Sequence, residues 1–234
     1  MSNFTNITLP GMKNYFTEEA YKVLRTNMQF CGRDIKAIAI TSCDFNEGKT
    51  VISLHLGVSL AELGKKVIVL DCDLRKSVME GRNTDTKNAR GLSEYLSGLC
   101  TFDECKHSTQ FPTLDIVFSG KYPPNPAELL GSQHFNQLIK DLKEEYDYVI
   151  LDTPPLGLVI DAAVVAEQCD GSMIVIGVDR NRTSVVQSVV EQLRKSGSNV
   201  LGVVLNKYGS KTKRSSGKYY KEYYKKHYKS YGNM

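Results

Sequence analysis

Lys49 and Thr50 follow Gly48 in the stretch 41–50, which comes directly after one predicted strand and begins a predicted helix. Backbone N–H groups at such a helix start face an anion, a lysine adds a point charge, and a threonine hydroxyl can hold Mg²⁺. The spacing predicts a phosphate-binding loop, although Cys43 stands where the GxxxxGK[ST] pattern has its first glycine. Taken alone, Gly48–Thr50 also fits an ordinary strand–turn–helix. The predicted nucleotide contacts are Asp44, Phe45, Asn46, Glu47, Gly48, Lys49, Thr50 and Val51.

Carboxylates follow two other predicted strands. Asp71 and Asp73 come after the apolar run 67–70 at positions i and i+2, and such side chains share one face of a strand. Asp152 follows the run 148–151, where a carboxylate that orients Mg²⁺ belongs in phosphoryl-transfer enzymes. A single Asp after a strand is usually a helix cap or turn residue, but three motifs in this order predict a nucleotide site. The predicted catalytic residues are Lys49, Asp71, Asp73 and Asp152, and the predicted metal ligands are Thr50, Asp73 and Asp152.

The elements that position these residues follow from the apolar pattern. Strands alternating with helices predict an α/β fold, a doubly wound and mostly parallel sheet of the P-loop NTPase type in one domain, with ligands beyond the strand C-termini. The clearest helix is 184–196, with Thr183 as its N-cap and Gly197 as its C′ residue. Residues 13–31 predict an amphipathic helix before the first strand. The predicted strands are 37–41, 67–70, 114–118, 148–151, 173–178 and 200–205.

The composition excludes several classes of protein. The chain has 234 residues with 41% apolar and 24% charged side chains, which fits one globular domain and excludes wholesale disorder. The longest nearly apolar run, 156–166, is short of the ~20 residues that cross a bilayer, and no secretory signal is visible. The six cysteines form no CxxC pair, so we expect buried, reduced thiols.

Asp161 is expected to be a helix N-cap rather than a catalytic group.

The last 27 residues differ in composition from the rest. Residues 208–234 contain eight Lys or Arg and one Glu, whereas residues 1–207 contain 22 basic and 25 acidic side chains. Seven of the 13 tyrosines lie in this basic tail, which has no Val, Ile, Leu or Phe and is expected to be disordered. Three interpretations remain: a solvated tail, a stacking tail for single-stranded nucleic acid, and a phosphoacceptor cluster. The predicted organisation is an N-terminal segment (1–31), a P-loop domain (32–207) and the tail (208–234).

Together, the Gly48-Lys49-Thr50 loop, the Asp-x-Asp-x-Arg strand end at 71–75 and the Asp-x-Pro-Pro strand end at 152–155 resemble the bacterial tyrosine kinases. Those proteins are P-loop enzymes associated with capsule and exopolysaccharide synthesis. Residues 19–27 resemble their oligomerisation helix, and 123–130 resemble their central segment. The tail resembles their autophosphorylation cluster. The implied phosphoacceptors are Tyr219, Tyr220, Tyr223, Tyr224, Tyr228 and Tyr231.

The resemblance implies an ATP- and Mg²⁺-dependent autokinase that modifies its own tail in trans and regulates polysaccharide synthesis and export. It implies a ring-like homo-oligomer held by Glu19, Lys22 and Arg25, and it places Asn206 near the adenine, although a plain turn role is equally open. The implied partners are a membrane chain-length regulator that activates the kinase, a tyrosine phosphatase that opposes it, and other protein-tyrosine substrates, with no specific nucleic acid. These partners imply that the protein is cytoplasmic and is held at the membrane by the regulator.

Two departures from the family pattern concern the loop and the helix. Phe45 and Asn46 stand where the family has Pro-Gly, and Lys22 stands where the family has arginine. Asn is the non-glycine residue that best tolerates a left-handed backbone, so we expect the loop to form. Two alternatives remain open. One is a positioning or partitioning ATPase, which typically carries a second, early lysine where this chain has Asp44 and Phe45. The other is a nucleotide-binding regulator with negligible catalysis.

Overall fold

Seven strands form one sheet, in the spatial order β3-β4-β2-β5-β1-β6-β7. In this computed structural model the described residues are Ile7, Leu9, 15–77, Met79 and 90–207. All neighbouring strands are parallel except β3 and β4, which pair antiparallel at one edge. The strands are β1 (Ala37–Ser42), β2 (Val67–Asp71), β3 (Lys106–Ser108), β4 (Leu114–Val117), β5 (Tyr148–Asp152), β6 (Gly171–Gly177) and β7 (Val200–Asn206).

Both faces of the central strands are buried, which explains their near-continuous apolar sequences. Along β1, Ala37 and Ala39 contribute to one core cluster, whereas Ile38 and Ile40 contribute to a second cluster on the opposite face. Helices cover both faces, so the predicted doubly wound architecture is confirmed. The helices are α1 (Tyr15–Phe30), α2 (Lys49–Ala61), α3 (Leu92–Leu96), α4 (Pro126–Leu130), α5 (Gln133–Glu145), α6 (Asp161–Glu167) and α7 (Thr183–Lys195), with a 3-10 turn at Phe102–Glu104.

Helix α1 packs along α2, the helix that begins at the phosphate-binding loop. The Tyr21 hydroxyl and the His55 Nδ1 atom lie 3.3 Å apart. Arg25 donates from Nη1 to the Ser59 carbonyl oxygen at 2.6 Å and to its hydroxyl at 3.0 Å. Met28 is buried in the same core cluster as the apolar side chains of α2. The N-terminal helix is therefore docked on the helix that carries Lys49 and Thr50.

The six predicted strands are present, and the differences have simple causes. The short strand β3 was not predicted, because three residues of sequence Lys-His-Ser carry no strand pattern. Strand β6 begins at Gly171, two residues earlier than predicted. Thr183 is the first residue of α7 and Arg182 is its N-cap, so the predicted cap is one residue off, whereas Gly197 has φ 84° as the C′ prediction requires.

The cysteines of the described chain are all free thiols, as predicted, but they are not all buried. Cys31 is exposed at the end of α1, whereas Cys43, Cys72 and Cys105 are buried. Among the described residues, no helix is long and apolar enough to cross a membrane.

Candidate active site

The loop between β1 and α2 adopts the conformation that a phosphate-binding loop needs. Gly48 is the N-cap of α2 with φ 99°, and Asn46 has φ 57°, so the left-handed conformation expected at Asn46 is present. Gly48 is also required by space, because a Cβ atom there would lie 2.1 Å from Asn206 Nδ2. Phe45, at the tip of the loop, is 53% exposed. The sequence Asn-Glu-Gly therefore turns the chain sharply into the helix.

The backbone N–H groups of residues 46–51 make no hydrogen bond to any other residue that the structure describes. Three of them belong to the first turn of α2, where no partner within a helix exists. Together with the positive end of the helix dipole, these donors form a site for an anion. Lys49 and Thr50 are buried at the same place, which is where the sequence predicts phosphate contacts.

The Glu47 side chain points away from this anion site and into the protein. Its carboxylate accepts hydrogen bonds from the N–H groups of Cys43 and Asp44, each at 2.8 Å. It also accepts from the Gly177 N–H group at 3.0 Å and from the side-chain amide of Asn181. The predicted nucleotide contact of Glu47 can therefore come from its backbone N–H group and not from its side chain.

Three carboxylates lie beside the loop. Asp71 and Asp152 end neighbouring strands β2 and β5, and each is almost completely buried. Burial, and then the charge of Asp152, raise the pKa of Asp71 well above its usual range. Burial likewise raises the pKa of Asp152 to about 6, although Lys49 and the Thr50 and Ser53 hydroxyls oppose the shift. Burial therefore opposes ionisation of these carboxylates, and within the described part of the chain no group of three or more His, Cys, Asp or Glu side chains is arranged to hold a metal ion by itself.

Asp73 and two hydroxyl groups complete the cluster. Burial raises the pKa of Asp73, and the charge of Lys49 is among the effects that lower it. The Ser77 hydroxyl donates to Asp71 Oδ2 at 2.6 Å, and the Ser53 hydroxyl donates to Asp152 Oδ1 at 3.3 Å. The structure therefore brings together all four predicted catalytic residues at the C-terminal edge of the sheet.

Comparison with known proteins identifies the family. A profile of the family described as "AAA domain" matches residues 35–199. The tyrosine-protein kinase CpsD of Streptococcus agalactiae is 44% identical over 191 residues, which cover 82% of this chain and 83% of that protein. The solved kinase domain of the Escherichia coli tyrosine kinase ETK is 34% identical with a TM-score of 0.76, over 81% of this chain and 75% of that one. The chain belongs to the bacterial tyrosine kinase family.

A second solved structure is also similar to this kinase. The chimerical protein CapA2B2 is 29% identical, with a TM-score of 0.76, and the match covers 85% of this chain and 91% of that one. The resemblance seen in the sequence is thereby confirmed, and with it the assignment as a nucleotide-binding, P-loop protein-tyrosine kinase of the capsule type.

Asn206 lies at the end of β7 and bridges to the loop of the kinase. Its side-chain amide donates to the Glu47 carbonyl oxygen at 2.7 Å, and its Oδ1 atom accepts from the Lys207 N–H group at 2.8 Å. Lys207 in turn donates from Nζ to the Asn46 carbonyl oxygen. Asn206 thus stabilises the phosphate-binding loop. A hydrogen bond to adenine stays a prediction, and the second amide hydrogen of Asn206 is the donor that could form it.

Arg75 and Asp161 form an ion pair that the sequence did not predict. Arg75 donates from Nε to Asp161 Oδ2 at 2.7 Å and from Nη2 to Asp161 Oδ1 at 3.0 Å. Asp161 is completely buried at the first position of α6, whose N-cap is Ile160, so the predicted N-cap role is wrong. The pair joins the strand end that carries Asp73 to the segment that follows Asp152, although the partners are 86 residues apart.

The residues predicted to hold the oligomer lie on α1. Glu19 and Lys22 form an ion pair within the helix, with 2.6 Å between Lys22 Nζ and Glu19 Oε1. Both side chains are partly exposed, whereas Arg25 binds Ser59 of the same chain. Their role between subunits stays a prediction. The predicted phosphoacceptor tyrosines, from Tyr219 to Tyr231, lie outside the described residues, and so does the predicted disorder of the tail.

Proposed function

We propose that this kinase transfers the γ-phosphoryl group of ATP to tyrosines of its own C-terminal tail, in trans, and thereby regulates capsular or exopolysaccharide synthesis and export. One observation supports the proposal above all. The N–H groups of the loop, Lys49 and the three carboxylates Asp71, Asp73 and Asp152 lie together at the C-terminal ends of the parallel strands, and the loop contacts Asn206 at the end of β7.

The residues present fit ATP and Mg²⁺. The N–H groups of residues 46–51 and the Lys49 ammonium would hold the β- and γ-phosphates, and Thr50, Asp73 and Asp152 would hold Mg²⁺ directly or through water. Buried Asp152 and half-buried Asp73 offer carboxylate oxygens, the ligands that a hard divalent cation prefers, and water and the phosphates would supply the rest. When bound, the cation neutralises charge on the phosphates.

The chain's own residues position the reactants and handle one proton. A tyrosine hydroxyl has a pKa near 10, so a nearby base must accept its proton as the new P–O bond forms and the bond to ADP breaks. Asp71 or Asp73 accepts this proton, and the raised pKa of each makes it a stronger base than an ordinary carboxylate. Most of the rate enhancement comes from positioning and from charge neutralisation by Lys49.

The proposed assembly is a ring-like homo-oligomer in which α1 contacts a neighbouring subunit through Glu19, Lys22 and Arg25. A membrane chain-length regulator would activate the kinase and keep it at the cytoplasmic face of the membrane. A tyrosine phosphatase would reverse the modification, and other proteins would serve as further substrates.

The decisive experiment incubates the purified protein with Mg-ATP, with and without the activating cytoplasmic segment of the regulator, and measures phosphotyrosine. Wild-type protein should become modified, Lys49→Met should not, and Lys66→Met should behave as wild type. Lys66 is a matched control because it lies outside the site and pairs with Glu145 on the surface. A chain lacking residues 208–234 should lose the modification but still bind ATP. Full activity of the Lys49→Met variant would contradict the assignment of the site.

The alternative of a partitioning ATPase is disfavoured by two observations. Asp44 and Phe45 stand where such proteins carry their early lysine, and the relatives from 33% to 44% identical over most of the chain are named as tyrosine-protein kinases. Release of inorganic phosphate without phosphotyrosine in the same assay would favour the ATPase.

A further inference from the structure

We propose that Glu47 is a positioning residue for the phosphate-binding loop. Its buried carboxylate binds the inner N–H groups of the loop and thereby keeps the outer N–H groups directed at the nucleotide. This role rests on the proposed function in one respect, because it takes a nucleotide phosphate to be the ligand of the loop.

The carboxylate of Glu47 is completely buried, and both of its oxygen atoms are hydrogen-bonded. Oε2 accepts from the first two N–H groups of the loop, at Cys43 and Asp44, and Oε1 accepts from Gly177 and Asn181. A buried carboxylate is costly unless donors surround it, and here four donors do so. The side chain is therefore held in one position by contacts on two sides.

These contacts divide the donors of the loop into two sets. The N–H groups of residues 43 and 44 point inward to Glu47, whereas those of residues 46–51 have no partner among the described residues. Without the carboxylate, the N–H group of buried Cys43 would be unpaired and that of Asp44 would lose its partner, so the loop would have to turn to satisfy them. That turn would move the outer donors away from the anion site.

The carboxylate also ties the loop to a rigid part of the fold. Gly177 ends β6, a central strand, and Asn181 lies in the segment that leads to α7. Within the loop itself, neither Phe45 nor Asn46 fixes the backbone as a proline would, and the Phe45 N–H group is bonded only to the Asp44 side chain, at 2.7 Å. Glu47 therefore adds an attachment to β6 and to the segment before α7, beside the hydrogen bond that the Asn46 carbonyl oxygen accepts from Lys207.

The test is the substitution Glu47→Gln in the full-length protein. Each carboxylate oxygen of Glu47 accepts two hydrogen bonds, whereas glutamine has one oxygen and one NH₂ group. In either orientation the NH₂ group faces two N–H donors, and those hydrogen bonds are lost. Affinity for Mg-ATP and Mg-ADP is measured by titration with fluorescent analogues of both, alongside the melting temperature. We expect the Kd to rise by about tenfold or more, since hydrogen bonds to a charged group are lost.

Glu94→Gln is the matched control. Glu94 is also buried, and its carboxylate accepts backbone N–H groups of Gly91 and Lys121 far along the chain from the loop. Its substitution should lower the melting temperature comparably but leave the nucleotide Kd within about twofold of wild type. An additional kinetic measurement should show a raised KM for ATP in the Glu47→Gln variant and an unchanged KM in the control.

The outcomes separate the two proposals. Wild-type affinity for nucleotide in a folded Glu47→Gln variant overturns the positioning role. A lower melting temperature with an unchanged Kd overturns it as well, because the side chain would then serve stability alone. If Glu47→Gln does not fold, Asn181→Ala decides the question: it removes one of the four donors and should raise the Kd about threefold or more, and an unchanged Kd overturns the role. Wild-type protein that binds no nucleotide overturns the proposed function itself.

Discussion

Asp71 and Asp152 are direct register partners on the parallel strands β2 and β5, and both carboxyl groups are buried beside the phosphate-binding loop. Two acidic groups so close in a desolvated place resist ionisation, and the pKa of each is raised, chiefly by burial. Such a pair lowers the stability of the ligand-free protein, and the proposed Mg²⁺ would offset this cost when bound.

The substitution Asp152→Asn should therefore stabilise the ligand-free protein while it abolishes phosphoryl transfer. The folded pKa of Asp152, about 6, lies above its ordinary value of 3.8, so the folded state binds this proton more tightly than the unfolded chain does. The destabilisation is complete above pH 6 and is relieved as the pH falls from 6 toward 4. The stabilising effect of Asn, about 1–3 kcal/mol at pH 7.5, should shrink below pH 6.

Thermal unfolding in EDTA across this pH range measures the difference between Asp152→Asn and the wild type. A variant that is less stable than wild type at pH 7.5, or a difference that grows on acidification, would contradict the assignment.

Substitution of Asp73 tests chemistry separately from folding. Asp73→Asn should reduce the rate of tyrosine phosphorylation at least about tenfold, because it removes the carboxylate proposed to bind Mg²⁺ or to accept the tyrosine proton. Circular dichroism should show an unchanged fold, since Asp73 is only partly buried. A pH–rate profile of Asp73→Asn and of Asp71→Asn assigns the base. The variant in which the rate no longer falls at acidic pH is the one that lacks the base.

Gly157 allows close contact between the segment after Asp152 and the phosphate-binding loop. A Cβ atom at this position would lie 2.1 Å from the Cys43 carbonyl oxygen, so Gly157→Ala must separate the loop from the segment that carries residue 157. We expect the affinity for ATP to fall about tenfold or more. Gly98→Ala is a useful comparison, because a Cβ atom there meets nothing within 4 Å, although its φ of 72° still strains an alanine. Equal ATP affinity of the Gly157→Ala variant and wild type would contradict this prediction.

The predicted subunit contact is tested by replacing Glu19, Lys22 and Arg25 together with alanine. The triple variant should be monomeric in light scattering and should still bind nucleotide, because α1 also packs on α2 through buried apolar side chains. Ser59→Ala is the control: it removes only the Ser59 hydroxyl that Arg25 binds and leaves the bond to the Ser59 carbonyl oxygen, so the oligomer should be unchanged. An unchanged oligomer in the triple variant, or a monomeric wild type at high concentration, would refute the contact.

Transfer between subunits is tested by mixing a full-length Lys49→Met chain with an active chain that lacks residues 208–234. Only the inactive chain then carries the tail tyrosines, so phosphotyrosine on it must come from its partner. We expect modification in this mixture and none in either protein alone. Absence of modification, with the active chain shown to bind ATP and to be activated, would mean that the tail is modified in cis or not at all.

The sequence predicted the sheet and the general place of the site because parallel strands buried on both faces must be apolar, and because ligands lie beyond their C-terminal ends. It could not predict contacts between distant segments. Glu47 bonds to Gly177 across 130 residues, and Arg75 pairs with Asp161 across 86. Nothing in the local pattern distinguishes a buried, four-fold bonded glutamate from an exposed one, so these interactions emerge only from the fold.

Strand β7 ends at Asn206, whose side chain donates to the Glu47 carbonyl oxygen. The next residue, Lys207, donates to the Asn46 carbonyl oxygen, and the tail begins at residue 208. Tyr219 is twelve residues beyond Lys207, a length that spans at most about 40 Å of extended chain. The proposed acceptor tyrosines of each subunit therefore follow a strand end that is bonded to that subunit's own phosphate-binding loop. Each phosphate added to them would contribute about −1.5 to −2 charges to the tail, whichever subunit supplied it. Electrostatic repulsion between a modified tail and the next ATP molecule would then slow further autophosphorylation as phosphates accumulate.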